Sequence, residues 1–152
     1  MQIKIRAIGR MKAGPLEDLI AEYAKRMRGE IMIEDYEAKK KGAPAQVQEE
    51  EVGWLLKGIA QDAFMIALDE RGKAMTSPGF AKVLDEVRAL GKRELVFIIG
   101  GADGLTEAVR SRANLLLSFG TMVWPHKLVR VMLMEQLYRA QQIAAGHPYH
   151  RD

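Results

Sequence analysis

The apolar and polar positions of this chain follow two different periods in turn. Residues 3–8 and 30–36 alternate between apolar and polar side chains, which is typical of strands with one covered face. Residues 64–68 and 94–99 are almost continuous apolar runs, as expected for strands of a parallel sheet that is covered on both faces. A fifth, shorter strand is predicted over residues 114–118.

Between these strands the apolar residues recur at helical spacing. Helices are predicted over 15–29, from about 45 to 59, over 78–90 with Thr76 or Ser77 as the cap, over 106–112 and over 128–145. Residues 69–73 are polar and predict a turn, and residues 39–44 predict a basic, flexible loop. Strands that alternate with helices predict an α/β fold with a mainly parallel sheet and helices on both of its faces.

Length and composition narrow the possibilities further. The chain has 152 residues, which is typical of one domain, so residues 1–152 are predicted to fold as a single unit. It contains no cysteine, which excludes disulfides, thiolate zinc sites, iron–sulfur clusters and a cysteine nucleophile. The apolar runs are far shorter than a membrane span and the first residues do not resemble a signal peptide, so a cytoplasmic location is expected.

The net charge of +3 is unevenly distributed along the chain. Residues 1–30 carry a net charge of +3 and residues 120–152 one of +2, whereas the middle of the chain is neutral or acidic. The two basic ends permit contact with phosphates. They are nevertheless far from the dense basic stripe of a dedicated nucleic-acid-binding protein.

Three segments that follow or adjoin predicted strands are expected to meet at one edge of the sheet. Leu68 ends the third strand, the glycine-rich residues 100–104 follow the fourth, and residues 120–125 precede the last helix. The carboxyl ends of parallel strands are where α/β folds bind ligands, and glycine lets a ligand approach the backbone. The apolar side chains in these segments suit a flat heteroaromatic ligand such as adenine. The G-x-G-x-x-G dinucleotide pattern is absent, and a purely structural turn is the alternative.

The C-terminal part of the chain contains the residues best suited to acid–base chemistry. His126 lies four residues before Arg130; histidine can exchange a proton near neutral pH, and arginine binds phosphate bidentately. A helix cap is the alternative role for His126. His147 and His150 flank Pro148 without a carboxylate cluster nearby, so no metal site is expected. The tail around them can stack on bases and bind phosphate, or simply dock on a neighbouring surface.

The last helix is apolar on more than one side. Its main apolar stripe fits packing against a core, whereas Val131 and Met134 lie off that stripe. This pattern predicts a subunit interface in addition to the core contact.

Three motifs near the C-terminus carry a resemblance to a known family. They read Trp-Pro-His-Lys-Leu-Val-Arg-Val at 124–131, Glu-Gln-Leu-Tyr-Arg-Ala at 135–140 and His-Pro-Tyr-His-Arg at 147–151. Together with the glycine segment that follows the fourth strand, they make the whole chain resemble the RlmH family. Its members are SPOUT-class methyltransferases that act on a pseudouridine of bacterial large-subunit ribosomal RNA. Trp124 stands where other members have leucine, a change that still permits apolar contact.

The resemblance implies a fold, a cofactor and a set of site residues. The fold would be an α/β knot in which a segment of approximately residues 95–152 forms a trefoil knot, and the protein would be a homodimer that shares its RNA site between subunits. S-adenosylmethionine would be the cofactor, bound by Leu68, Gly101, Gly120, Thr121, Met122, Val123, Trp124 and Pro125. The residues that orient or deprotonate the target base and grip the RNA would be His126, Arg130, Tyr149, His150 and Arg151. The family also implies action on assembled ribosomes.

The expected reaction constrains the chemistry of the site. Methylation of ring nitrogen 3 of pseudouridine requires the imide proton to leave, and a positioned base or a water relay can accept it. Without cysteine, a route through a cysteine adduct of the ring is excluded. Two other classes stay open: a ribosome-binding module that keeps the fold but transfers no methyl group, and an α/β enzyme that uses another adenine-containing cofactor.

Overall fold

The computed structural model describes residues 1–39 and 42–151, and the sheet in it has five strands. The strands are β1 (Gln2–Ile8), β2 (Ile31–Tyr36), β3 (Phe64–Ala74), β4 (Glu94–Ile99) and β5 (Leu115–Ser118). The helices are α1 (Pro15–Arg26), α2 (Pro44–Leu56), α3 (Ser77–Ala89), α4 (Glu107–Arg112) and α5 (His126–Ala144). Lys40 and Lys41 of the predicted basic loop lie outside the described residues.

The strands are ordered β2-β1-β4-β3-β5, and every neighbouring pair is parallel. The predicted α/β class with a mainly parallel sheet is therefore confirmed. All carboxyl ends of the strands lie at one edge, because a parallel sheet aligns its strands in the same direction. The trefoil knot over approximately residues 95–152 stays a prediction.

Helices cover both faces of the sheet, as the apolar runs predicted. Alternate side chains of β4 point to opposite faces, so Leu95 and Phe97 belong to one core cluster and Val96 and Ile98 to the other. Helices α1, α3 and α5 contribute to the first cluster, and α2 and α4 contribute to the second. No helix in residues 1–39 and 42–151 is long and apolar enough to cross a membrane.

Strand β3 differs most from its prediction. The prediction of a polar turn over 69–73 is wrong, because the strand continues to Ala74 and pairs again with β5 after a register shift. Leu117 of β5 pairs with Leu68 before the shift and with Lys73 after it. At Gly72 the two strands approach so closely that a Cβ atom would lie 2.6 Å from the carbonyl carbon of Leu116. A bulge places polar residues within a strand, which a search for apolar runs does not detect.

Helix boundaries differ by smaller amounts. Helix α2 begins at Pro44, one residue before its predicted start, and ends at Leu56. Thr76 caps α3, and its Oγ1 atom accepts a hydrogen bond from the Gly79 amide at 3.1 Å. Helix α5 begins at His126, two residues earlier than predicted.

The argument for a subunit interface on α5 from Val131 and Met134 is wrong. Both residues are buried in the core of the same chain, with 7% and 0% of their surface exposed. Helix α5 packs against α1 as well as α3, so it needs apolar residues in two directions within one subunit. Sequence periodicity cannot distinguish a second neighbouring helix from a second subunit.

Candidate cofactor and substrate site

One cleft of about 750 Å³ lies at the carboxyl edge of the sheet. It is formed by the distal part of β3, by the turn that follows β4, and by the segment between β5 and α5. The structure thus brings together the three segments that the sequence predicted to meet. A volume of this size is typical of clefts that bind small molecules and cofactors.

Most of the predicted cofactor-binding residues line this cleft. These are Leu68, Gly101, Gly120, Met122, Val123, Trp124 and Pro125. Thr121 lies in the same loop without being part of the lining. Of the five residues predicted to handle the RNA base, all within the described part of the chain, His126 alone lines the cleft.

A tight turn after β4 forms one wall. The Gly104 amide donates a hydrogen bond to the carbonyl oxygen of Gly101 at 3.0 Å, and Gly104 has a φ of +74°. A Cβ atom at Gly101 would lie 2.9 Å from Cγ2 of Ile8, and one at Gly100 would lie 2.9 Å from Cδ2 of Leu105. The glycines are therefore required by close packing behind the turn, and the turn presents bare backbone to the cleft.

Ser118, at the end of β5, sets the direction of the opposite wall. Its buried hydroxyl donates to the carbonyl oxygen of Gly120 at 2.9 Å and lies 3.1 Å from the Gly120 amide, which donates to it. Gly120 has a φ of +111°, which favours glycine. The chain then leaves Met122 and Val123 exposed by 72% and 84%, and Trp124 by 39%. An apolar loop this exposed beside a cleft is unusual for a packed surface and indicates a ligand or partner.

Two charged features of the site had no motif in the sequence. Nη1 of Arg110 lies 3.3 Å from Oδ2 of Asp69 and donates to the carbonyl oxygen of Leu105 at 2.6 Å, so α4 is tied to β3 across the cleft wall. The carboxylate of Glu51 on α2 lies behind the glycine turn, where burial and the charges of Asp103 and Glu50 raise its pKa. Arg110 and Glu51 lie on helices without a recognisable pattern, and only the fold brings them to the site.

His126 is the first residue of α5, but it does not cap the helix. The N-cap position belongs to Pro125 and has no side-chain cap hydrogen bond, so the capping interpretation is wrong. The imidazole packs against Gly9 at the end of β1, where a Cβ atom would lie 2.8 Å from Nε2. Burial, followed by the charges of Lys127 and Arg130, lowers the pKa of His126 below its ordinary 6.5. The ring is therefore uncharged at neutral pH and able to accept a proton.

Arg130 lies one turn further along α5 and makes internal contacts. Its Nη2 atom donates to the carbonyl oxygen of Gly9 at 2.7 Å, and its Nη1 atom lies 3.2 Å from Oδ2 of Asp35. Its side chain is buried, and burial lowers the pKa of its guanidinium despite the Asp35 carboxylate. The direct contact of Arg130 with RNA stays a prediction, whereas the contacts seen here fix the start of α5.

Two residues of the C-terminal tail, Tyr149 and His150, contact the second half of α5. The Tyr149 hydroxyl donates to Oε1 of Glu135 at 3.1 Å, and Nδ1 of His150 lies 3.2 Å from Nη1 of Arg139. Arg151 is exposed at the end of the described chain. Glu135 follows His126 by nine residues, about 14 Å along a helix axis. Within one chain, the tail is thus docked away from the cleft.

No group of three or more His, Asp or Glu side chains with the spacing of a metal site occurs among residues 1–39 and 42–151. The polar groups at the cleft include the partly buried Asp69–Arg110 ion pair, the charged residues Glu70, Arg71 and Asp103, backbone amides and carbonyls, and the His126 imidazole. Such an arrangement can bind an organic cofactor and move a proton.

Comparison with known proteins identifies the class of this fold and cleft. The family model described as "Predicted SPOUT methyltransferase" matches residues 1–150. The chain therefore belongs to the SPOUT methyltransferase family.

Three similar proteins are each named ribosomal RNA large subunit methyltransferase H. The protein of Rhodospirillum centenum is 48% identical over 151 residues, that of Paramagnetospirillum magneticum 46% over 151, and that of Agrobacterium fabrum 44% over 160. Each comparison covers 99% of both chains, which confirms the resemblance to the RlmH family. The SpoU methyltransferase AviRb from Streptomyces viridochromogenes, solved with AdoMet, aligns over 95% of this chain and 61% of its own, at 10% identity and a TM-score of 0.47. A likeness at that level adds nothing to the family match.

Proposed function

We propose that this protein methylates ring nitrogen 3 of a pseudouridine in the 23S ribosomal RNA, with S-adenosylmethionine as the methyl donor. The observation that carries the proposal is the cleft at the carboxyl edge of the sheet, with His126 at its rim. It occurs in a chain that is 44–48% identical to proteins named for methylation of large-subunit ribosomal RNA.

The cleft fits the proposed cofactor. The exposed apolar side chains of Met122, Val123 and Trp124 suit an adenine ring, and the glycine turn that follows β4 presents its backbone to the cleft. We assign cofactor binding to Leu68, Gly101 and the segment 120–125, which includes Thr121. When bound, S-adenosylmethionine supplies an electrophilic methyl group on a sulfonium centre.

His126 is our candidate for the proton transfer. Ring nitrogen 3 must lose its imide proton before its electron pair can attack, and an uncharged imidazole can accept that proton directly or through a water molecule. His126 lines the cleft, where it can reach a bound base, and its lowered pKa keeps the imidazole in the uncharged form that accepts a proton. Arg130 then serves the reaction by holding the first turn of α5 in place.

The position of the tail supports a site shared between two subunits. In its own chain Tyr149 is docked at Glu135, about 14 Å along α5 from His126, and His150 is docked still further along, at Arg139. We therefore propose a homodimer in which the tail of one subunit faces the cleft of the other. In this arrangement Tyr149, His150 and Arg151 contact the RNA base or its phosphates.

We further propose that the substrate is the assembled ribosome in the cytoplasm. The net charge of +3 is modest, and affinity for naked RNA grows with the number of phosphates that a protein neutralises. A preformed ribosomal surface adds contacts of other kinds, so the enzyme does not depend on charge alone.

A methyl-transfer assay tests the proposed function. Ribosomes from a strain that lacks this modification are incubated with the protein and S-adenosylmethionine, in parallel with free 23S RNA, and the methylated nucleotide is located by mass spectrometry. We expect one methyl group on a pseudouridine, with ribosomes as the better substrate. Binding of S-adenosylmethionine without methylation of either substrate would favour the ribosome-binding module. Calorimetric binding of NAD, with none of S-adenosylmethionine, would favour the enzyme with another adenine cofactor.

A further inference from the structure

One carboxylate on α5 organises the C-terminal tail, residues 147–151. Oε1 of Glu135 accepts hydrogen bonds from the Tyr149 hydroxyl at 3.1 Å and from two nitrogens of Arg139 at 2.6 and 3.0 Å. Arg139 in turn places Nη1 3.2 Å from Nδ1 of His150 and its guanidinium 4.8 Å from the centre of the Tyr149 ring. Glu135 therefore orients two of the three tail residues assigned to substrate contact.

Aromatic packing gives the docked tail a defined orientation. The Tyr149 ring meets Tyr138 edge-on, with centroids 4.7 Å apart and an interplanar angle of 75°. Burial and the hydrogen bond to Glu135 raise the pKa of Tyr149 to about 12, so its hydroxyl stays protonated and donates at neutral pH. Carboxylate, guanidinium and phenol thus hold one arrangement together.

The second oxygen of Glu135 connects the tail to the body of the subunit. Oε2 accepts a hydrogen bond from Nε2 of Gln136 at 2.9 Å, and Oε1 of Gln136 accepts one from the Ser77 hydroxyl at 2.7 Å. Ser77 is the first residue of α3. Glu135 and Gln136 also line a second cavity of about 500 Å³ whose wall at Gly120 is shared with the cleft. The network therefore runs from the tail to the start of α3 and borders a cavity that adjoins the cleft at Gly120.

The environment of the Glu135–Arg139 pair differs from that of an ordinary ion pair on a helix surface. Lys82 and Glu86 on α3 have the same i, i+4 spacing, a distance of 3.9 Å and side chains that are mostly exposed. Pairs of that kind contribute little to stability. The Glu135 and Arg139 side chains are only 19% and 24% exposed, and their polar atoms also bind the tail.

We propose that Glu135 is a positioning residue for methyl transfer, which holds Arg139, Tyr149 and His150 so that the tail meets the RNA in one conformation. The proposal rests on the function proposed above, because the tail needs a substrate to contact. Glu135 acts through the tail and does not touch the reacting atoms. Fixing a flexible substrate-contacting segment in advance lowers the entropic cost of reaching the productive geometry.

The position of the tail is tested first, without any reaction. The protein is labelled with 3-fluorotyrosine, and the fluorine resonance of Tyr149 among the four tyrosines is assigned with the Tyr149→Phe variant. In Glu135→Ala we expect that resonance to move to the position of an exposed tyrosine, while those of the other tyrosines shift less. Glu86→Ala is the matched control and should leave the spectrum unchanged. A Tyr149 resonance that is unchanged in Glu135→Ala overturns the proposal.

The kinetic test then measures methylation of ribosomes and the affinity for S-adenosylmethionine separately. We expect Glu135→Ala to lower kcat/KM by about 100-fold with unchanged cofactor affinity, because the misplaced group contacts only the RNA. Glu135→Gln keeps one acceptor oxygen and should recover part of the rate. This variant also serves if Glu135→Ala fails to fold.

The outcomes separate this proposal from the proposed function. A released tail with full methylation activity overturns the positioning role, and so does a loss of cofactor affinity equal to the loss of rate. A wild-type protein that methylates no ribosomal RNA overturns the proposed function and the kinetic part with it. In that case the fluorine spectrum still decides whether Glu135 holds the tail.

Discussion

Nη2 of Arg130 donates a hydrogen bond of 2.7 Å to the carbonyl oxygen of Gly9, across 121 residues of sequence. The same guanidinium reaches Asp35, whose Oδ2 atom also accepts a hydrogen bond from the Met11 amide at 2.9 Å. The ends of β1 and β2 and the start of α5 are thereby joined into one unit. His126 lies one turn before Arg130, so the candidate base depends on this unit for its position.

We expect Arg130→Met to lower the free energy of unfolding by about 2–3 kcal/mol, because it leaves two backbone carbonyls and Asp35 without their buried donor. Asp35→Asn should cost less, since an amide oxygen still accepts from the Met11 amide. Urea titration measures both. Equal stability of Arg130→Met and wild type would show that the contact is replaceable by packing alone.

Gly9 and Gly29 form a matched pair for separating backbone strain from contact with His126. Both have positive φ, +96° and +84°, but a Cβ atom at Gly9 would lie 2.8 Å from Nε2 of His126 and one at Gly29 would meet nothing within 4 Å. Both alanine variants should lose about 1 kcal/mol of stability from the left-handed backbone. Only Gly9→Ala should also lower the methylation rate, because the imidazole must move. Equal rates in the two variants would contradict a role for the position of His126.

The lowered pKa of His126 predicts how the rate of methyl transfer falls at acid pH, the acid limb of the pH–rate profile. Burial and the nearby cations favour the neutral ring, so the folded-state pKa lies below 6.5 and the base form predominates above that value. The rate of methyl transfer should stay level from pH 7.5 down to 6.5 and fall as the pH drops through the folded-state pKa. His126→Asn should lower the rate by about 100-fold or more and abolish this limb. A limb that persists in the variant would assign the titration to another group.

The same shift predicts the pH dependence of stability. Because the unfolded histidine binds a proton more readily than the folded one, the stability contributed by neutral His126 is present above pH 6.5 and is lost as the pH falls. Urea unfolding of wild type and His126→Asn at pH 7.5 and 5.5 measures this. The drop in stability should be smaller in the variant.

Trp124 tests the apolar wall of the cleft. Its side chain is 39% exposed, so Trp124→Leu and Trp124→Asp should leave the melting temperature nearly unchanged. We expect leucine to preserve binding of S-adenosylmethionine and aspartate to weaken it by about 10-fold or more, since a charged group replaces apolar contact area. Calorimetry measures both affinities. Equal binding by all three proteins would place the adenine ring elsewhere.

The sequence predicted the strands and the convergence of their ends more reliably than the positions of individual side chains. The runs at 64–68 and 94–99 identified buried strands because a doubly covered strand must be apolar at every position. The extension of β3 to Ala74 escaped prediction because Gly72 and its polar neighbours form a bulge. The subunit interface predicted from Val131 and Met134 was wrong because two helices of the same subunit, α1 and α3, both cover α5.

The candidate site also contains some residues that the sequence indicates and others that it does not. Glycines at 100, 101 and 120 and the apolar loop at 122–124 are recognisable because close backbone approach and ligand contact require those residue types. Arg110 and Glu51 are not, because a charged residue on a helix has the same appearance on any solvated surface. The ion pair of Arg110 with Asp69 and the position of Glu51 behind the glycine turn exist only once the sheet and helices are assembled.

By itself the sequence determined the α/β class, the edge of the sheet at which the cleft forms and, through its C-terminal motifs, the family. Those features follow from local periodicity and from residue types that a given backbone conformation demands. The tertiary structure alone decided that Arg130 is buried against Gly9, that His126 is uncharged beside it, and that Glu135 holds the tail. Burial and hydrogen-bond partners depend on residues far apart in the chain, so they are set by packing and not by the local pattern.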